Sequence, residues 1–239
     1  MPASSFKPGD SIKVAGHPVR LTVNARARTL GLRVDTARGQ VTATAPSARR
    51  LPEAADFARR RAEWIVRQLQ HLPPAQPFEP EAVIPFRGTP CRLKAIPGAA
   101  AARLSPGART ITSGGEGEAF SRRVLNLLKR EALADLTARS AVHAAALRVP
   151  MPKVAVFDAA GRWGSCTPAA GRIRYSWRVI CAPPFVADYL TAHEVAHLVE
   201  PNHSRRFWEQ VARLVGDHTP ARQWLKENAA ALHAIGRGD

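Results

Sequence analysis

The 239-residue chain has no apolar run approaching the ~18 residues that a membrane-spanning helix needs, so no membrane span is expected. Its three cysteines, Cys91, Cys166 and Cys181, are odd in number, far apart and without a CxxC pair. That pattern argues against a disulfide framework and for reduced thiols, with the cytoplasm as the expected compartment. The opening residues Met1-Pro2-Ala3-Ser4-Ser5-Phe6-Lys7 lack the basic-then-apolar order of a secretory signal. Aromatic residues are scarce, at 6%, and acidic residues are outnumbered, 19 against 35 Lys and Arg. No internal repeat and no low-complexity segment is evident in the sequence.

What is present is enough for a folded core. Hydrophobic residues make up 45% of the chain, and 239 residues suffice for one large domain or two small ones. The net charge of +16 divides as +8 over residues 1–75, +5 over 76–150 and +3 over 151–239. Such an excess, strongest at the N-terminal end, fits a polyanion-binding face, with nucleic acid the leading partner. The competing reading is a solvated, arginine-rich surface, favoured by charge that is dispersed and by the few aromatics.

The patterning predicts an α+β fold. Leu21 and Val23, then Leu30, Leu32 and Val34, then Val41, Ala43 and Ala45 alternate as three short strands. A helix is expected from Leu51 to about Leu72, with Arg59-Arg60-Arg61 interrupting its apolar spacing and Pro73-Pro74 ending it. Ala82–Arg87, Cys91–Ile96 and Ala108–Thr112 read as strands or hairpin arms, and Gly114-Gly115 as the best boundary. This gives a β-rich N-terminal region with one helix over 1–115 and a second region over 116–239. The second opens with a long helix whose apolar face is Phe120, Val124, Leu127, Leu128, Leu133 and Leu136. A strand at Lys153–Phe157, a loop at 161–166 and a strand at about Arg172–Ile180 follow. Pro183-Pro184 starts the next helix and Pro201 stops it. Ser204 N-caps another, and Thr219-Pro220 opens the last.

The helix after Pro184 carries His193-Glu194-Val195-Ala196-His197, an HExxH sequence. Residues four apart share a helix face, so both imidazoles can reach one metal ion. Glu194, adjacent to the first, can take a proton from water activated by that metal without ligating it. His203 lies six residues past His197, the separation of the third histidine in the metzincin signature, although Glu200-Pro201-Asn202 replaces the glycine found there. Glu200, Glu209, His218 and Glu227 are the other downstream ligand candidates, and His203 is preferred. The implied chemistry is zinc-dependent peptide hydrolysis with Glu194 as general base. Tyr175, Arg178 and His218 are candidates for stabilising the tetrahedral intermediate. The strand near Arg172–Ile180 is the candidate edge for an extended substrate.

Arg162-Trp163-Gly164-Ser165-Cys166, Tyr175-Ser176-Trp177-Arg178, Pro183-Pro184, Tyr189, the HExxH sequence, Asn202-His203-Ser204 and Phe207-Trp208 together resemble the YgjP-like metallopeptidase domain. That family is related to the SprT-like zincins. The N-terminal strands, Ala45-Pro46 and Trp64-Ile65 also fit, so the resemblance spans about residues 20–233. It implies a zincin-like catalytic half after the β-rich half, with Zn2+ on His193, His197 and His203 and Glu194 as general base. Arg174 and Ser176 depart from the small polar residues expected there. The resemblance supplies no substrate, but SprT-like relatives act on proteins bound to DNA. The alternative function is a nucleic-acid-associated binding protein, or DNA-linked protease, whose metal site is mainly structural. Cys166 is read as an inert thiol, since a fourth protein ligand would close the catalytic position.

Overall fold

The computed structural model describes residues 6–35, 39–105, 107–158 and 161–238; the first five residues, read above for a secretory signal, lie outside them. The chain divides into two compact units, Met1–Pro74 and Ala75–Asp239, with a hydrophobic cluster in each. The division falls at the proline pair Pro73-Pro74. Gly114-Gly115 instead lies inside the second unit, between a strand and a long helix.

The first unit is one four-stranded sheet with helices against it. Strands β1 (Ser11–Val14), β2 (His17–Val23), β3 (Gly31–Asp35) and β4 (Gln40–Ala45) stand in the order β1-β2-β4-β3, with β2 and β4 parallel and the other pairs antiparallel. The turn between β1 and β2 has positive φ at both Ala15 and Gly16, the geometry that matches the twist of a two-residue hairpin. Alternate residues, Val19 and Leu21 on β2, Val41, Ala43 and Ala45 on β4, are buried as a period of two requires. Strand β4, whose inward face is mostly alanine, is a true strand, with Thr42 and Thr44 on its other face and Thr22 paired with Thr44 at 3.0 Å.

The helix expected over 51–72 is two helices, α1 (Leu51–Arg60) and α2 (Ala62–Gln70), broken at Arg61. The break falls at the arginine triplet. It re-aims the chain, since α1 covers β2 and β4 with Leu51, Ala54, Ala55 and Ala58, whereas α2 packs beside β3.

The second unit begins with the same topology. Strands β5 (Val83–Phe86), β6 (Thr89–Ala95), β7 (Arg103–Ser105) and β8 (Thr110–Ser113) form the order β5-β6-β8-β7, again with the two inner strands parallel. Its first hairpin turns at Arg87-Gly88, both with positive φ, as at Ala15-Gly16. The architecture is therefore repeated although the sequence is not.

Helix α3 (Gly117–Leu147) follows and spans about 46 Å at 1.5 Å per residue. It buries Phe120, Val124, Leu127, Leu128, Ala132 and Leu136, while Leu133, assigned above to the same face, is 39% exposed. A second sheet is built from β9 (Lys153–Phe157), β10 (Gly164–Thr167) and β11 (Arg172–Ser176) in the order β10-β11-β9. The strand expected to reach Ile180 stops at Ser176, whose hydroxyl accepts from Arg178 N and starts a 3-10 turn over Trp177–Cys181. Helices α4 (Pro184–Ala196), α5 (Arg205–Val215) and α6 (Thr219–Ala234) complete the unit, with α4 packed against α3, α5, α6 and β10. The molecule is thus mixed α+β, β-rich first and helical later. No helix among the described residues is long and apolar enough to cross a membrane.

Candidate metal centre

Helix α4 is fixed at both ends by proline. Pro183 is its N-cap and Pro184 its first residue, where a missing N–H costs nothing. Val186, Ala192, Val195 and Ala196 are fully buried, so most of the C-terminal half of the helix is held in the core while the face carrying the histidines opens outward. The helix ends at Ala196, earlier than Pro201 itself. A proline ring clashes with the carbonyl four residues back, here that of His197, and disfavours helical geometry at Glu200. The chain therefore leaves the helix one turn ahead, and His197 becomes its C-cap with φ −65° and ψ −16°. That geometry is still helical enough to keep His197 one turn above His193.

The turn brings His203 back over this face. One ring nitrogen from each of His193, His197 and His203 can be chosen so that all lie within 4.8 Å of one another. Nε2 of His203 is 3.1 Å from Nε2 of His193. Ligands bound to one zinc at about 2.0–2.1 Å in tetrahedral array stand about 3.4 Å apart, so the cluster fits such an ion.

Two of the remaining nitrogens have other partners. Nδ1 of His197 is 3.1 Å from the Glu200 carbonyl, and donating to it leaves Nε2 for a metal. Nδ1 of His193 faces the Tyr189 hydroxyl at 3.5 Å. Burial pushes the His193 imidazole down to about 3, helped by His197, His203 and Arg222 nearby, and burial also lowers His197. Both rings are therefore neutral, the form a metal requires.

Phe207 of α5 is the floor of the cluster. It is fully buried, and its ring centroid lies 4.9, 4.5 and 4.8 Å from those of His193, His197 and His203. Ser204 sets its position by accepting from Phe207 N at 3.3 Å, the N-cap expected from the sequence. Neither Phe207 as a support for all three rings nor Tyr189 was foreseen. Tyr189 could have been, because it lies four residues before His193 on the same helix face.

Glu194 is 5% exposed, and burial raises its carboxyl to about 7 against the opposing charge of Arg162. Its neighbour is β10. A Cβ at Gly164 would fall 2.6 Å from Glu194 Cδ, so any larger residue where the strand passes would have to displace the carboxylate. A cleft of about 340 Å³ opens here, lined in part by Arg162, Trp163, Gly164, Tyr189, His193, Glu194 and Arg222.

Other residues singled out in the sequence are held elsewhere. Tyr175 is fully buried, with its hydroxyl 3.0 Å from Ser140 Oγ. Arg178 is ion-paired with Asp158 and donates to the Ile235 carbonyl at 3.1 Å. Glu209 pairs with Arg205 at 2.9 Å and Glu227 accepts from Gln223, so neither joins the imidazoles. Glu200 contributes only its carbonyl. Cys166 lies outside the histidine cluster, and burial together with the charge of Glu194 pushes its thiol up to about 11. His218 stays beside the site, its ring 5.9 Å from Tyr189 and 5.0 Å from Trp208. Of the two departures from the family pattern, Arg174 stacks over Phe157 at 4.5 Å and Ser176 caps the 3-10 turn.

The strand at Arg172–Ser176 is not an edge. It pairs with β10 on one side and β9 on the other, so its hydrogen bonds are taken, and the edge that passes Glu194 is β10. That strand was missed because Gly164-Ser165-Cys166-Thr167 shows no apolar alternation.

A sequence profile described as the YgjP-like metallopeptidase domain matches residues 28–228, well over half of the chain. No curated protein matches it. Among solved structures it is similar to the metallopeptidase zymogen of Pyrococcus abyssi abylysin, with 20% identity over 41% of this chain and 94% of that one, at a TM-score of 0.36.

Proposed function

The chain belongs to the YgjP-like metallopeptidase family, and from that membership we propose that it hydrolyses peptide bonds at a zinc ion held by His193, His197 and His203, with Glu194 as general base. The observation that carries the reading is the convergence of three imidazole nitrogens within 4.8 Å beside a nearly buried glutamate. The imidazole set suits Zn2+ among the available divalent ions. When bound, the metal supplies Lewis acidity, polarising a carbonyl and making water acidic near neutral pH.

The protein's own groups do the rest. Glu194 accepts the proton of the attacking water and returns it to the leaving amine. Gly164 lets β10 run close enough for a peptide on its free edge to pass Glu194. Tyr175 and Arg178 are committed to Ser140 and Asp158, which leaves His218 as the side chain to meet the developing negative charge. Protein or peptide substrates follow from the family. We also retain the cytoplasm as the proposed location and a zincin-like catalytic half as the proposed fold assignment.

The test is Glu194→Gln. It should lower kcat/KM on unfolded protein by about 10²–10⁴-fold while the metal content of the purified protein, and its loss to a chelator, stay as in the wild type. Full hydrolysis by this variant sinks the general-base role. Stoichiometric zinc with no hydrolysis by the wild type would favour the structural-site alternative instead.

A further inference from the structure

Two guanidinium groups line the cleft in front of Glu194: Arg162, ahead of β10, and Arg222, in the first turn of α6. Some arginines of this unit are held by carboxylates, Arg178 by Asp158, Arg139 by Asp135 and Asp188, Arg205 by Glu209, and others lie unpaired on the surface. Among the described residues no ion pair engages Arg162 or Arg222. Aromatic rings accompany them instead. The Arg222 guanidinium sits 4.7 Å from the Trp208 ring centroid and that of Arg162 5.9 Å from the Phe157 centroid. A ring orients a guanidinium through its quadrupole but leaves its charge and its N–H donors available.

A concave site with two ring-held guanidiniums outside any ion pair attracts anions and repels cations. We infer that the cleft selects substrates with a carboxylate beside the scissile bond, from an aspartate or glutamate side chain or a free C-terminus, and that Arg162 and Arg222 are its specificity-determining residues. The general basicity of the chain does not explain this pair. Dispersed surface arginines have no reason to converge on one cleft. The inference names the substrate class for the peptidase reading and rests on that reading.

The experiment has a cleavage arm and a binding arm, both on the full chain. In the first, zinc-loaded protein is given an end-blocked degenerate peptide mixture and the cut sites are read by mass spectrometry. Sites flanked by Asp or Glu should exceed those flanked by Lys or Arg by about fivefold per arginine, the effect of an exposed charge pair near 1 kcal/mol. A matched mixture with free C-termini separates the two carboxylate sources by where the cuts fall. In the second arm, the Glu194→Gln protein with chelator present binds labelled Asp-bearing or Lys-bearing peptides, followed by fluorescence anisotropy.

The double variant Arg162→Glu/Arg222→Glu should invert the preference in both arms. Arg162→Lys/Arg222→Lys should keep its sign, and circular dichroism checks that each variant folds. No cleavage by the wild type overturns the peptidase reading while the binding arm still decides the inference. Cleavage or binding indifferent to peptide charge, or a preference for acidic peptide that survives the reversal, overturns the inference and leaves the peptidase reading standing.

Discussion

At Gly164 a hydrogen stands where any other residue would carry a carbon, and the space saved is occupied by the Glu194 carboxylate. The glycine is not needed for its backbone, since it lies in a regular strand paired with Tyr175. The requirement is steric, which makes Gly164→Ala a sharp probe. The added methyl must push the side chain of Glu194 aside, the nearest group it meets. Displacement of a catalytic group by about 1 Å can lower the rate about a hundredfold. The expected result is that loss in kcat, with metal content unchanged and little change in thermal midpoint. If Gly164→Ala keeps wild-type kcat, either Glu194 relaxes freely or its placement does not matter. The same site shows which residues carry chemistry and which only fill space. Cys166 sits two residues further along β10, but its thiol is pushed up to about 11 and stays protonated near neutral pH.

Among the elements, α4 and α5 act as one device, because the three imidazoles of α4 and its following turn rest on a single ring from α5. Phe207→Ala removes a fully buried aromatic and should cost about 3–5 kcal/mol in denaturant unfolding. The loss should be largest for the metal-loaded protein, since the rings would no longer be held in common. A variant as stable as the wild type, with unaltered zinc affinity by competition with a chelator, would contradict the role assigned to Phe207. How these elements could be read from sequence follows from physics local to each. Helix α4 and strand β9 (Lys153–Phe157) were legible because periodicity and flanking prolines marked them. The His193–Glu194–His197 constellation was legible because helical spacing alone puts both imidazoles on one face. Strands β1, β7 and β10 were not: β1 alternates Ile12 and Val14 over only four residues, and β7 and β10 are three or four residues long without a marked alternation of apolar residues. The early end of α4 was hidden because a proline acts on the carbonyl four residues before it. The last helix starts with His218 rather than Thr219 as its N-cap, because Asp217 accepts from Thr219 N at 2.9 Å and takes over the capping role. The platform of Phe207 and the saturated edges of β11 arise from contacts distant in sequence, which no local pattern carries.

For the molecule as a whole, the charge excess and the imidazole cluster fall in different units. The excess of +8 over residues 1–75 belongs almost wholly to the first, and the three imidazoles, Glu194 and the cleft belong to the second. If the basic half holds nucleic acid, binding of an oligonucleotide should be seen in about 50 mM salt and fall steeply by about 200 mM, through counterion release. No binding at low salt would leave a solvated arginine-rich surface as the reading. The sharper prediction concerns the second unit. Gly114-Gly115 looked like the boundary because glycine pairs break pattern, but β5 to β8 precede it and share a hydrophobic cluster with α3 and α4: Ile84, Leu93 and Ile111 are buried in the same core as Phe120, Val195 and Phe207. A fragment beginning at residue 116 would strip that sheet away and expose those contacts. Residues 75–239 keep every member of the cluster, and Gln76 closes it by bonding to Ala234 and Gly236 near the end of α6. We therefore expect the 75–239 fragment to fold cooperatively, bind one equivalent of zinc and retain hydrolysis of unfolded protein. The 116–239 fragment should fail in all three, judged by thermal unfolding, metal analysis and kcat/KM. Retention of zinc and activity by the shorter fragment would return the boundary to the glycine pair.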